Sequence, residues 1–176
     1  VQLSFGEPIP LNSLLDEEFP AWRETPVGEH EKAPWMTSTV NRLANQISTR
    51  INAAASVNPV NLLALVLLST PKHAMDEDAL VAQIELYRRL LKTVPYSDEL
   101  VITAMSGAEI VAYGEQLKIL HRIKHPLGDL IGVSDEQAML LTYFRNNVLH
   151  LFILPSLVAC LLQHNGELTR AEVRRM

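Results

Sequence analysis

The chain has 176 residues, of which 48% are hydrophobic and 20% charged, and its formal net charge is −5. This composition is typical of a globular protein of one domain, or of one domain with part of another. The acidic balance argues against a nucleic-acid partner, because phosphate binding needs clustered Lys and Arg. The single cysteine, Cys160, implies no disulfide framework, and we expect it to be a small buried side chain in a reducing compartment.

The first 34 residues differ in character from the rest. Val1, Leu3 and Phe5 alternate with polar residues, which is the period of a half-buried strand, and Gly6 ends the pattern. The acidic, proline-rich stretch that follows predicts a short helix at most and then a linker. Because the chain opens within a predicted strand, we expect it to be a piece of a longer protein.

From residue 35 onward, apolar residues recur at the three- and four-residue steps of amphipathic helices. Asn58 is expected to cap the run VNLLALVLL, which is apolar on all sides and therefore predicts a buried helix. Asp76 is expected to cap the next helix. Capping-box spacing predicts three further helix starts, at Ser106, Ser134 and Thr169.

The stretch RIKHPLGDLIGV contains two short β-like runs around a Pro-Leu-Gly-Asp turn, which predicts a small hairpin. The fold class expected is therefore mostly α: a helical domain with a small β hairpin over residues 35–176, preceded by a terminal strand. Since the last capping box lies close to the final residue, we expect this helical domain to be truncated at its C-terminus.

The segment YFRNNVLHLFILPSLVACLL, residues 143–162, combines a polar front with an apolar run. The uninterrupted part of the run is shorter than the roughly 20 residues that a membrane-spanning helix needs. Pro155 removes one helical hydrogen bond and predicts a kink or break near Leu151. We therefore expect a buried, kinked helix rather than a membrane span.

The polar front of this segment places Tyr143, Asn147 and His150 on one side of a helix, with Asn146 beside them. Buried polar groups need partners, so the pattern predicts a hydrogen-bond network. Two interpretations remain open. The simpler is a structural network or a docking surface for another domain, and the other is one wall of an active site.

The stretch TYFRNNVLHLFILPSLVA resembles a signature helix of the bacterial glycerol-3-phosphate acyltransferases, and the resemblance extends over essentially the whole chain. LSFGEPIPLNSLL and PAWRE are similar to the end of that family's α/β acyltransferase domain, and PWMTSTVNRLANQ is similar to the helical region after it. The resemblance implies that residues 1–34 are the tail of the acyltransferase domain with a linker, and that residues 35–176 are the C-terminal helical domain.

The resemblance also implies an activity. Such enzymes transfer a fatty acyl group from acyl-CoA or acyl carrier protein to sn-glycerol 3-phosphate, which gives lysophosphatidate in the first step of phospholipid biosynthesis. They use a His-x4-Asp pair for proton transfer and need no metal or cofactor. Those catalytic blocks belong upstream, so we expect no catalytic residue in this chain, a support or docking role, and no activity from the chain alone.

The implied partners are the upstream acyltransferase domain of the same chain, the two substrates through that domain, and a membrane surface. The implied location is the cytoplasmic face of the bacterial inner membrane, with peripheral or monotopic attachment. Within this chain the only candidates for substrate contact are in one group, in which the arginine suits an anionic group such as a phosphate. The group consists of Arg145, Asn146, Asn147 and His150.

Two other patterns resemble functional sites but lack the context that a motif needs. His73 and Asp78 satisfy the His-x4-Asp spacing, yet the residues around them do not match the family's block. His121 and His125 have the spacing of a helical metal-ligand pair, but the stretch around them favours a strand and no third ligand is evident, so no metal site is expected.

An alternative from another functional class is an independent helical module for protein interaction or regulation. The succession of short helices has the cadence of winged-helix domains, although the net charge argues against DNA. An upstream His-x4-Asp block in the longer protein would decide for the enzyme.

Overall fold

The computed structural model describes residues 3–25, 32–126 and 128–175, and the chain forms two compact units. One unit is Val1–Ala54 and the other is Ala55–Met176. The predicted class, mostly α with a small β component, is confirmed. The assignment of residues 1–34 to the end of an acyltransferase domain stays a prediction.

The first unit contains α1 (Leu11–Glu18), a 3₁₀ turn (Pro20–Arg23) and α2 (Met36–Ala53). An ion pair at 2.7 Å between Arg42 and Glu17 connects the two helices. The predicted amphipathic pattern of α2 does form a helix. Much of its apolar face is nevertheless exposed, including Val40 and Ile51.

The strand predicted at the start of the chain is not formed in its described part. Residues 3–5 have no strand partner within the described chain, and the side chains of Leu3 and Phe5 are 78% and 93% exposed. A strand is stable only when a neighbour satisfies its backbone hydrogen bonds and covers one face, so alternation alone was a wrong guide here. Val1 and Gln2 lie outside the described residues.

The second unit is built around α3 (Pro59–Leu67), which packs against α4 (Glu77–Thr93), α5 (Gly107–Gln116) and α6 (Asp135–Val148). Every apolar side chain at positions 62–67 is buried, as the all-round apolar pattern predicted. The N-terminus of α3 is closed by the predicted cap at Asn58, whose side-chain oxygen accepts from the Asn61 backbone N–H at 3.0 Å.

In the described parts of the chain, five short strands accompany the helices. β1 (Ser56–Val57) pairs in parallel with β3 (Val101–Ile102). The predicted hairpin is confirmed as β4 (His121–Ile123) and β5 (Leu130–Gly132), and β5 also pairs antiparallel with β2 (Ala74–Asp76), which gives the order β2-β5-β4.

From β1 to β5 the second unit runs β1, α3, β2, α4, β3, α5, β4 and β5. When the paired strands β1 and β3 are set aside, this is the element order of a winged helix-turn-helix. The cadence noted in the sequence matches this order of elements, although β3 and not a tight turn lies between α4 and α5. The third helix in this order is α5, whereas the pattern noted in the sequence had used the C-terminal stretch GELTRAEV, residues 166–173, as its third helix.

The caps are formed largely as predicted. The boxes at Ser106 and Thr169 are complete, and the latter opens α8 (Arg170–Val173). At Ser134 only half of the box forms, because the hydroxyl accepts from the Gln137 backbone N–H while the buried Gln137 side-chain oxygen has no hydrogen-bond partner in the described structure.

The predicted break in the long apolar segment is confirmed. After α6 the chain passes through a 3₁₀ turn (Leu149–Phe152) into α7 (Ile153–Asn165). Pro155 lies in the first turn of α7, where a missing backbone N–H costs no helical hydrogen bond.

The predicted burial of this segment is wrong beyond the break. Leu151 and Phe152 are buried, but the side chains of Ile153, Leu154 and Leu157 are each more than half exposed. Cys160, expected to be buried, is also exposed. Burial needs neighbours on all sides, and α7 extends beyond the core that surrounds α3, so its apolar sequence is not matched by an apolar environment.

Candidate functional site

The candidate residues lie where α6 passes into the 3₁₀ turn. Asn146 and Asn147 are exposed, Tyr143 is 66% exposed, and Arg145 and His150 are half-buried. The predicted buried network of Tyr143, Asn147 and His150 is therefore wrong: these positions do share a side of the segment, but that side does not face the core.

The reason lies in a competing apolar stripe on the same segment. Leu141, Phe144, Val148 and Leu151 recur at steps of three and four, and they are buried or packed against the core. This stripe decides which face of α6 points inward. The polar residues are turned toward solvent by the same geometry that buries the apolar ones.

Contacts of the candidate residues are few and local. The Arg145 guanidinium donates two long hydrogen bonds, of 3.3 and 3.4 Å, to the Asn146 side-chain oxygen. The ring of His150 meets the ring of Tyr96 edge to face, with centroids 5.2 Å apart and planes at 89°. Within the described residues no carboxylate forms an ion pair with Arg145, so its positive charge has no acidic counterpart there.

An apolar groove of about 700 Å³ opens beside these residues. Its walls come from α3, α4, the 3₁₀ turn and α7, and Arg145 is the one charged residue among the described residues that line it. The apolar wall includes Leu65, Leu68, Leu86, Leu90, Phe152 and Ala159. An apolar groove with one cationic side chain suits a ligand that is apolar over most of its length and carries one anionic group.

The end of α6 is fixed by a buried asparagine, Asn61, to which the sequence pattern assigned no role of its own. Asn61 is 1% exposed, and its side-chain N–H donates to the Phe144 backbone carbonyl at 2.7 Å. Its side-chain oxygen accepts from the Asn58 backbone N–H at 2.8 Å. Asn61 thus connects the first turn of α3 to the end of α6. The sequence signal that could have identified Asn61 is its position as the one polar residue near the start of the apolar run VNLLALVLL.

A second group that the sequence reading missed is an ion cluster at the sheet. Arg122 in β4 donates to Glu77 at the start of α4, to Glu115 at 2.7 Å near the end of α5, and to Asp129 at 3.0 Å. The hydrogen bond from Arg122 lowers the pKa of Glu77, and hydrogen bonds from Lys124 and Arg122 lower the pKa of Asp129. The cations and carboxylates of this cluster pair with one another, so we interpret the cluster as structural.

The two patterns that resembled functional sites do not converge. His73 lies in a 3₁₀ turn (Pro71–His73) with its Nδ1 3.4 Å from the Leu67 carbonyl oxygen, and no hydrogen bond or ion pair in the described structure joins it to exposed Asp78. Asp76 caps α4 as predicted, accepting from the Ala79 backbone N–H at 3.1 Å. His121 lies in β4, so the helical spacing to His125 does not exist.

One segment of the described chain, Asp135–Gln163, is long and apolar enough to cross a membrane when judged by length and composition alone. Only 17% of its most apolar window is buried within the protein. The 3₁₀ turn interrupts the segment, and exposed apolar residues lie on both sides of it: Met139 and Leu140 in α6, and Ile153, Leu154 and Leu157 in α7.

Comparison with known proteins places these features in context. The family model for the glycerol-3-phosphate acyltransferase C-terminal region matches residues 1–176. Glycerol-3-phosphate acyltransferases of Xanthomonas campestris and Xylella fastidiosa are each 52% identical over 176 residues, which is 100% of this chain and 20% of theirs. That of Pseudomonas fluorescens is 41% identical over 175 residues. The chain spans about one fifth of the length of these curated relatives.

Proposed function

Because the chain belongs to the family of glycerol-3-phosphate acyltransferase C-terminal regions, we propose that it is the helical C-terminal part of a glycerol-3-phosphate 1-O-acyltransferase. That enzyme transfers a fatty acyl group from acyl-CoA or acyl carrier protein to sn-glycerol 3-phosphate and gives lysophosphatidate. The observation that carries the proposal is the match of the family model along the entire chain.

The chemistry of this reaction is assigned to the upstream part of the longer protein. The 1-hydroxyl oxygen attacks the thioester carbonyl, its proton passes to a general base, and the thiolate leaves. Within the described structure, His73 and Asp78 do not form the mutual hydrogen bond that a base and its orienting group need. This chain then acts as a support and docking region, for which its own closed core around α3 is suited.

The group of Arg145, Asn146, Asn147 and His150 is proposed as the contact point of this region with the rest of the enzyme or with substrate. Asn146 and Asn147 are exposed, so their amides are available to a partner. Arg145 offers a guanidinium that suits a phosphate.

The test compares the chain with the longer protein that contains the upstream domain. Residues 1–176 alone should transfer no acyl group from acyl-CoA to glycerol 3-phosphate, while the longer protein should do so. His73→Ala in the longer protein should leave turnover unchanged. Turnover by the 176-residue chain alone, or its loss with His73→Ala, would contradict the proposed division of roles.

Attachment to the cytoplasmic face of the inner membrane, peripheral or monotopic, is the second part of the proposal. Ile153, Leu154 and Leu157 form an exposed apolar face on α7. The exposed arginines at positions 170, 174 and 175 follow it. An apolar helix face with nearby basic residues suits the interface of an anionic bilayer.

Co-sedimentation of the chain with phosphatidylglycerol vesicles tests this attachment. The double variant Leu154→Glu with Leu157→Glu should lower the bound fraction severalfold, because two charges would have to enter the interface. The matched double variant Val94→Glu with Leu117→Glu, at exposed positions directly after α4 and α5, should bind like the unaltered chain. Equal loss in both double variants would remove α7 as the attachment site.

One observation favours the alternative of an interaction module, namely the winged-helix order of elements. The helix that would read DNA in such a fold is α5, which carries Glu109 and Glu115 and neither Lys nor Arg. A nucleic-acid partner is therefore disfavoured, and a protein partner remains. Mixing the chain with the separately produced upstream part of the enzyme discriminates the two, since a support region should raise acyl transfer and an independent module should not.

A further inference from the structure

The apolar groove beside Arg145 has no part in the proposed support role, although Arg145 itself belongs to the proposed contact group. About 700 Å³ lies within the range of roughly 300–1,000 Å³ that is typical of small-ligand pockets. Leu65 of α3 and Leu68 directly after it form one side, and Pro155 and Ala159 of α7 form another. Such a lining offers contact to alkyl groups and little to polar ligands.

The charge indicates what kind of ligand fits. Arg145 lines the groove, is half-buried, and bonds only to the neutral amide of Asn146 among the side chains of the described residues. A guanidinium in that position gains a charge-assisted hydrogen bond when an anionic group arrives, with phosphate matching its planar donors. An uncharged alkyl ligand would leave this donor unused.

We propose that the groove binds the single fatty acyl chain of a 1-acylglycerol 3-phosphate, with the phosphate at Arg145. This inference rests on the proposed function, since such a molecule is the product of the proposed reaction. It assigns to the C-terminal region a lipid-binding site separate from the chemistry, in which the apolar walls bind the alkyl chain and Arg145 selects the anionic head.

The groove and the proposed membrane face lie on opposite sides of the same helix. With about 3.6 residues per turn, Pro155, Ser156 and Ala159 fall on one side of α7, while Leu154 and Leu157 fall on the other. Binding in the groove is therefore separable by mutation from attachment to a bilayer. The same geometry allows a matched pair of tryptophan substitutions in α7, one on the groove side and one on the opposite side.

The test is titration calorimetry of the 176-residue chain with lauroylglycerol phosphate below its micelle-forming concentration. The octanoyl analogue, which is shorter by four CH₂ groups, should bind roughly a hundredfold more weakly, since each buried CH₂ group contributes a factor of about three to four. Glycerol 3-phosphate without an acyl chain should show no binding. Arg145→Gln should weaken binding about tenfold, whereas the same charge change in exposed Arg89→Gln should not.

Ala159→Trp should abolish binding by filling the groove, and Leu157→Trp should retain it. Both positions lie on the surface of α7, so circular dichroism should show folded protein in both variants. Equal affinity for lauroyl and octanoyl analogues, full binding by Ala159→Trp, or loss of binding in the longer protein because another segment covers the groove would overturn the site. The acyl-transfer assay is independent: the longer protein can be active without this site, and the site can bind lipid without activity.

Discussion

Two helices of the second unit have similarly apolar sequences and opposite environments. α3 is surrounded by α4, α5 and α6, and its side chains at positions 62–67 are buried. α7 begins directly after buried Phe152, yet Ile153, Leu154 and Leu157 are exposed. The comparison shows that an apolar sequence does not by itself bury a helix. Burial also requires neighbouring elements that pack against the helix on all sides. An uncovered apolar helix is therefore a candidate contact surface.

The largest expected effect tests the contrast between α3 and α7 with one substitution. Leu63→Ala should lower the free energy of unfolding by about 3 kcal/mol, because Leu63 is 0% exposed and its removal leaves a cavity. Leu157→Ala should lower it by less than about 0.5 kcal/mol, since that side chain is mostly in solvent. Urea unfolding of both variants measures the difference. Similar losses would mean that α7 is covered in solution.

The second prediction concerns the hydrogen bond from Asn61 that connects α3 to α6. Asn61→Ala should lower the free energy of unfolding by about 2 kcal/mol, because the Phe144 carbonyl and the Asn58 N–H lose their partner in a buried place. Asn146→Ala, on the exposed side of α6, should change it by less than about 0.5 kcal/mol. Urea unfolding applies again, and a cost below that of Asn146→Ala would show that Asn61 is dispensable.

Helix caps, the helix break and the hairpin turn were predicted correctly from the sequence, whereas the structure of residues 3–5 and the long-range contacts were not. The caps at Asn58, Asp76 and Ser106 depend on residues within three positions of one another, so their spacing predicted them. The break before α7 followed from one proline in the same way. The chain's own hairpin was also found, because its two strands are close in sequence.

What sequence reasoning missed depends on residues brought together by the fold. β2 joins β5 across more than fifty positions, and Arg122 meets Glu77 at a separation of 45. The side of α6 that faces the core was set by Leu141 and Val148 packing on α3, which outweighed the polar residues beside them. Of the candidate site, the sequence identified Arg145 and its neighbours, and the groove that Arg145 lines became visible only in the structure.

The third prediction concerns the ion cluster around Arg122 and the pH dependence of stability that it causes. The pKa of Glu77 is lowered mainly by hydrogen bonds from Arg122, so its charged form stabilises the folded state. This contribution is present above about pH 4.5, the ordinary range of glutamate, and is lost as the pH falls through the lower folded-state pKa. The urea midpoint of the unaltered chain should therefore drop on acidification below about pH 5.

In Arg122→Gln the acid-induced drop should be smaller, because the carboxylate of Glu77 loses the partner that lowers its pKa. The neutral-pH stability should also fall, by less than in Asn61→Ala, since the cluster is partly solvated. Arg89→Gln makes the same change of charge at an exposed position and should keep the acid response of the unaltered chain. Identical pH profiles in all three proteins would exclude Arg122 as the cause.

The smallest expected effect concerns the turn that brings Leu120 into the core beside α3. Lys118 follows α5 with a φ of 58°, a left-handed conformation in which glycine avoids the strain of a side chain. Lys118→Gly should therefore raise the free energy of unfolding by about 0.5–1 kcal/mol. The same substitution at Lys92, inside the last turn of α4, should lower it by about 1 kcal/mol, because glycine disfavours the helical state. Thermal unfolding of the pair checks the two signs, and a loss of stability in Lys118→Gly would mean that the lysine side chain contributes more than its backbone conformation costs.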